Sequence, residues 1–116
     1  MYITFCKAKI AQASVTQAEL YYEGSITIDQ TLIDAVGILP GEKVEIFNVN
    51  NGTRLETYVI AGRPGSGQIC LNGPAARLGY VGDRLIIVSY ALVTPDEAKN
   101  LKTRTIHLED GNRIKA

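Results

Sequence analysis

The chain has 116 residues, 46% of them hydrophobic, with twelve basic and twelve acidic side chains and a formal net charge of zero. That length and apolar content support one domain around one core. The charge balance argues against nucleic-acid binding, which needs a basic footprint, and the longest apolar run, Leu85 to Val93, is far too short to span a bilayer.

The opening stretch MYITFCKAKI reads as a first strand, and it has no basic segment followed by an apolar one, so no signal peptide is expected. SITID, Ser25 to Asp29, is a second strand, with Ile26 and Ile28 alternating with polar neighbours. Asp29 then caps a helix over QTLIDAVG, with Leu32, Ile33 and Val36 on one face and Gly37 as its stop. KVEIFNV (Lys43 to Val49) and RLETYVIA (Arg54 to Ala61) flank Asn51-Gly52, a hairpin signal in which both central residues need positive φ. RPGSGQ is a glycine-rich turn, ICLNG a short strand, PAARLG a very short helical turn and DRLIIVSYALV a long buried strand. Thr94 caps a second helix over PDEAKN, with Pro95 at its first position and Glu97 placed for a capping box. TRTIHLED is a last strand, and the polar tail beyond it reads as disordered. Many short strands with turn signals and few helices point to a small β-barrel.

Little in the chain fits metal or triad chemistry. Cys6 and Cys70 form no CxxC pair, and the single histidine, His107, sits in a strand without a cysteine or histidine partner at ligand spacing. No metal is expected, and reduced thiols fit the cytoplasm. NGPAARLGYVGD lacks the spacing of a phosphate loop; it reads as a tight turn, with backbone N–H groups suited to a carboxylate as the sharper alternative. RLETY sets Arg54, Glu56 and Tyr58 on one strand face and Leu55 and Thr57 on the other. Arg54 could clamp a carboxylate and Tyr58 could donate a proton, although an isolated strand of this kind is usually a solvated face.

The dipeptide Gly24-Ser25 interrupts YYEGSITID. The plain reading is a bulge with an exposed hydroxyl. The chemical reading is self-cleavage. The serine hydroxyl attacks the preceding carbonyl, an N→O acyl shift gives an ester, and elimination leaves dehydroalanine, which hydrolyses to a pyruvoyl group. Glycine suits this because it exposes its carbonyl and tolerates strain.

Three segments taken together carry a resemblance. KAKI followed by VTQAELYYEGSITID, then DAVGILPGEKVEIFNVNNGTRLETYVIAG, then ICLNGPAARLGYVGDRLIIVSYA occur in that order from about residue 1 to about residue 100. They resemble the pyruvoyl-dependent aspartate 1-decarboxylase family. The resemblance implies a mainly β fold, a double-psi β-barrel with a few short helices, formed by residues 1–116 as a single domain. It implies self-cleavage into chains 1–24 and 25–116, and decarboxylation of L-aspartate to β-alanine for pantothenate and hence coenzyme A. It further implies a cytoplasmic homotetramer with active sites between subunits and no nucleic-acid or membrane partner.

The same resemblance assigns residues. Ser25 is the pyruvoyl precursor, the group that forms a Schiff base with the substrate, and Tyr58 protonates the carbanion. Gly24, Ser25 and Thr57 serve self-cleavage, with Thr57 stabilising the oxyanion of the attack. Lys9, Arg54, Thr57, Asn72, Gly73, Pro74 and Ala75 contact or line the substrate site, and Tyr22 is an aromatic near the cut. A carbonyl held by the protein would act as the electron sink that ordinary side chains lack. Alternation puts Thr57 and Tyr58 on opposite faces, so both can serve a site only if the strand twists or bulges or if the site lies at a subunit junction; the junction is the expectation, in agreement with the assembly that the resemblance implies. Two positions depart from the family: Ala11 stands where many members have histidine, and Pro74, which has no N–H, where alanine is common. These departures support the alternative of a non-catalytic double-psi barrel that binds or scaffolds. A nucleic-acid-binding barrel fits poorly with zero net charge.

Overall fold

The computed structural model describes residues 1–116. Nine strands form: β1 (Ile3–Ser14), β2 (Gln17–Glu19), β3 (Ile26–Asp29), β4 (Lys43–Asn48), β5 (Arg54–Gly62), β6 (Ile69–Asn72), β7 (Arg84–Val93), β8 (Arg104–Glu109) and β9 (Arg113–Ile114), with alternation of buried and exposed positions clearest along β4. Helix α1 (Gln30–Val36) follows β3, a short 3₁₀ helix (Gly73–Arg77) follows β6, and α2 (Pro95–Asn100) follows β7.

The strand order is β2-β6-β3-β5-β4-β7-β1-β8-β9. In this order β2 and β1 stand far apart, yet only Val15 and Thr16 join them in the chain. The sheet must therefore curl until β1 meets β2, which makes the two one bent stave of a closed six-stave barrel. Irregularities in the β1–β7 register between Cys6 and Ala8 and between Ile10 and Ala13 supply the bend, and Gln12 stands at φ 61 in the second of them. Parallel pairs (β1–β8, β2–β6, β3–β5) mix with antiparallel ones. Inside lies a core of 19 buried residues that includes Ile10, Ile26, Ile28, Leu32, Ile33, Ile46, Ile69, Leu71 and Ile87. Each such side chain contributes roughly 1.5–3 kcal/mol by leaving water. No helix is long and apolar enough to cross a membrane.

Most expected elements form where expected. Asp29 caps α1 by accepting from the Thr31 N–H, and Gly37 ends it at φ 75. Thr94 and Glu97 form the capping box of α2. Three readings need correcting. The Asn-Gly hairpin forms between β4 and β5, but Asn48 pairs with Thr53 around a wider loop in which only Gly52 has positive φ. Asn48 and Asn51 side chains accept from the Asn50 and Thr53 N–H groups and shape it. β2 was not expected, because Gln17, Ala18 and Glu19 are all exposed and show no alternation. The tail is ordered: β9 pairs with β8, and buried Asn112 donates to the Ser14 and Gly67 carbonyls and accepts from the Ser14 N–H.

Candidate active site

The site forms where β3 begins. β3 pairs with β5 only from Ile26↔Val59 onward, so residues of β5 before Val59 have β4 on one side and an open edge on the other. Gly24 and Ser25 lie beside that open edge. A cleft of about 460 Å³ opens there, lined by Glu23, Gly24, Ser25, Leu55, Glu56, Thr57, Tyr58, Asn72, Pro74, Ala75 and Leu78. Thr57 and Tyr58 both border it although they point to opposite faces, because an open strand edge is reached from either side. One chain thus brings both to Ser25, and a subunit junction is not required for that.

The backbone at the joint is unusual. Gly24 has φ 117 and Ser25 φ 100. A side chain on Gly24 would meet nothing within 4 Å, so glycine is needed there for its conformation rather than for space. Ser25 has no such freedom. A non-glycine residue held at this φ costs on the order of 1–3 kcal/mol, and surrounding contacts must hold it there. The serine is only 1% exposed, so the reading of an exposed hydroxyl on a bulge is wrong.

Asn72 holds the joint from below. Its backbone N–H donates to the Ser25 carbonyl at 3.0 Å, and its Nδ2 donates to Ser25 Oγ and to Thr27 Oγ1, both at 2.9 Å. Its Oδ1 accepts from the Cys70 thiol at 3.2 Å. β6 places these groups by antiparallel pairing with β3, with Ile26 opposite Leu71 and Thr27 opposite Cys70. Burial, with the charge of Glu19 second, pushes the Cys70 thiol above its ordinary pKa, so it keeps its proton. Gly73, at φ 64, backs directly onto the joint: a Cβ there would stand 2.5 Å from the Tyr22 carbonyl oxygen and 2.7 Å from the Gly24 nitrogen.

Of the residues singled out in the sequence, Gly24, Ser25, Thr57, Tyr58, Asn72, Pro74 and Ala75 meet at the cleft, and Gly73 supports it. Lys9 and Arg54 do not line it. Lys9 lies on β1 opposite Val88 and Thr105, three staves from β5 in either direction around the barrel. Arg54 stacks on Phe47, 4.6 Å from the ring centroid. Missed in the sequence were Thr27 and Cys70. Alternation does put Thr27 on the face of Ser25 and Cys70 on the face of Asn72, but the β3–β6 pairing that joins them is not in any local pattern.

Fold and site together define a small closed β-barrel with a strained glycine–serine joint buried over a donor amide at the mouth of a cleft. The aspartate decarboxylase family model matches residues 1–115, and the chain belongs to that family. It is 52% identical over 98% of its length to an aspartate 1-decarboxylase of Salinibacter ruber, of which the match covers 78%. It is 56% identical to that of Clostridium beijerinckii, over 99% of this chain and 93% of the other, and 55% identical to that of Bacillus subtilis, over 98% and 90%. Among solved structures, a rationally designed protein aligns at 20% identity with a TM-score of 0.48, over 68% of this chain and 91% of that one, a likeness too weak to argue from.

Proposed function

We propose that this chain cuts itself between Gly24 and Ser25, and that the mature protein decarboxylates L-aspartate to β-alanine and CO₂ as an aspartate 1-decarboxylase. Membership of the family carries the reaction class. The observation that carries the cleavage is Ser25 held at φ 100 with its Oγ on the Asn72 amide.

The steps follow from these groups. Ser25 Oγ loses its proton and bonds to the Gly24 carbonyl carbon; the C–N bond breaks and the nitrogen takes up a proton, leaving an ester. Thr57, on the cleft wall, donates to the oxyanion of this attack in the proposed scheme, a contribution of about 3 kcal/mol in comparable acyl chemistry. Loss of the Ser25 Cα proton then expels Gly24 as a carboxylate, with the Cβ–Oγ bond breaking. Asn72 Nδ2 donates to Oγ throughout, so it favours both the deprotonated hydroxyl and the departing carboxylate. Water hydrolyses the dehydroalanine, ammonia leaves, and a pyruvoyl group remains at position 25. The residues fit such a group: a cleft, a buried amide donor and no bulky neighbour at Gly24. Such a carbonyl, once present, would supply the electron sink that loss of CO₂ from the substrate needs. Tyr58 returns a proton to the α-carbon from the cleft wall.

L-Aspartate carries two carboxylates, whereas the charged side chains lining this cleft are Glu23 and Glu56. Cations must come from elsewhere. We assign that role to Lys9 and Arg54 presented across subunit boundaries in a homotetramer, which fits their absence from the lining of the cleft within one chain. Two unpaired cysteines fit a cytoplasmic location.

Denaturing mass spectrometry on freshly made and aged protein tests the reading. It expects a fragment of residues 1–24 and a larger fragment with a carbonyl-reactive N-terminus, alongside CO₂ release from aspartate. Ser25→Ala should fold and stay uncut. A parent chain that remains whole after prolonged warming and releases no CO₂ sinks the proposal.

A further inference from the structure

A side-chain amide has a donating end and an accepting end, and which end faces Ser25 decides what Asn72 can do there. With Nδ2 toward Oγ it stabilises negative charge on that oxygen. With Oδ1 toward Oγ it would accept the serine proton and oppose that charge. The two hydroxyls that touch Nδ2 cannot choose between these orientations, because a hydroxyl donates or accepts equally well. The remaining partner can. The Cys70 thiol stands 3.2 Å from Oδ1, and an S–H donates to a carbonyl-type oxygen, whereas the diffuse lone pairs of sulfur are a poor seat for an N–H. Cys70, Asn72 and Ser25 are all nearly fully buried, at 3%, 3% and 1% exposure, so no water competes for the contact.

We propose that Cys70 is a positioning residue for self-cleavage: its thiol locks the Asn72 amide with Nδ2 on Ser25 Oγ. The inference rests on the self-cleavage reading. Cys70 touches none of the reacting atoms and acts only through Asn72. It needs to stay protonated, which the raised pKa of the thiol supports. The chain then runs from thiol proton to amide oxygen, and from amide N–H to the oxygen that first attacks and later leaves.

The test compares self-cleavage rates of the full-length parent, Cys70→Ser and Cys70→Ala, read by denaturing mass spectrometry, with thermal unfolding as the control for folding. Loss of one buried hydrogen bond should slow Cys70→Ala about tenfold, and the hydroxyl of Cys70→Ser should restore the rate to within about threefold of the parent. The second readout uses the uncut Ser25→Ala background, where hydrogen exchange of the Asn72 side-chain amide is followed by NMR. Exchange should be faster with Cys70→Ala than with Cys70→Ser. Cleavage of Cys70→Ala at the parent rate overturns the inference alone, as does a Cys70→Ser variant as slow as Cys70→Ala, which would make the residue a space-filler. A parent that never cuts removes the self-cleavage reading and this inference with it.

Discussion

At position 25 the backbone is held where a side chain is rarely found, and the contacts that hold it are specific. The Asn72 N–H fixes the Ser25 carbonyl, the Asn72 amide fixes its hydroxyl, and Gly73 presses on the preceding residues. Gly73 admits no side chain: it has φ 64, and a Cβ would collide with the backbone of Tyr22 and Gly24. Gly73→Ala should therefore lose on the order of 2–4 kcal/mol of stability, since backbone rather than a flexible side chain must give way. It should also slow cleavage by moving Tyr22 and Gly24. Denaturant unfolding and the mass assay check both, and a variant with parental stability and cleavage would contradict the close approach. Tyr58 acts later in the proposed scheme. Tyr58→Phe should cut itself at the parental rate yet lose most turnover of aspartate, and full turnover would remove Tyr58 from the proton-donor role.

Among the elements, α1 and the turn at residues 63–67 share one carboxylate. Asp29 Oδ1 accepts from the Thr31 and Gly65 N–H groups at 2.8 and 3.0 Å, and Oδ2 from the Gly67 N–H at 2.9 Å. Burial alone would raise its pKa, but the N–H groups of Gly67, Thr31 and Gly65 outweigh it and hold the carboxyl below its ordinary value. A depressed carboxylate stabilises the fold at pH above the unfolded value of about 3.9, and that contribution is lost as pH falls through the folded value. Asp29→Asn should thus cost about 1–3 kcal/mol at neutral pH, with a gap from the parent that narrows steadily in acid. Unfolding curves between neutral and strongly acid pH test this. A constant gap would mean that ionisation of Asp29 contributes nothing. The cap was legible in the sequence from Asp29 and the apolar spacing behind it; the grip on Gly65 and Gly67, more than thirty residues away, was not.

For the molecule as a whole, the proposed cleavage after residue 24 would free only a chain end. Residues 1–24 contain β1 and β2, and β1 is paired along its length with β7 and over Ala8–Ala11 with β8, while β2 pairs with β6. Ala8, Ile10, Ala13 and Val15 are part of the core. The small fragment should remain bound after the cut: native mass spectrometry should find both chains together, and only denaturation should separate them. Loss of the 1–24 fragment under native conditions would show that β1 is not an integral stave. The barrel also explains how Thr57 and Tyr58 can border one cleft from opposite strand faces. Alternation is a property of one strand, and it gives no hint that β3 starts late and leaves the edge of β5 open on the cleft.

Local chemistry thus determined what one stretch of chain settles alone: the caps at Asp29 and Thr94, the alternating staves, and a Gly24-Ser25 bond capable of an acyl shift. The family membership was carried by the ordered segments around them, because each encodes its own residues. Tertiary structure decided what depends on pairings between distant segments. It closed the barrel through Val15 and Thr16, ordered the tail through Asn112, and gave Asn72 a partner in Ser25. Those contacts span separations of up to about a hundred residues, and only the packed core fixes which strand lies beside which.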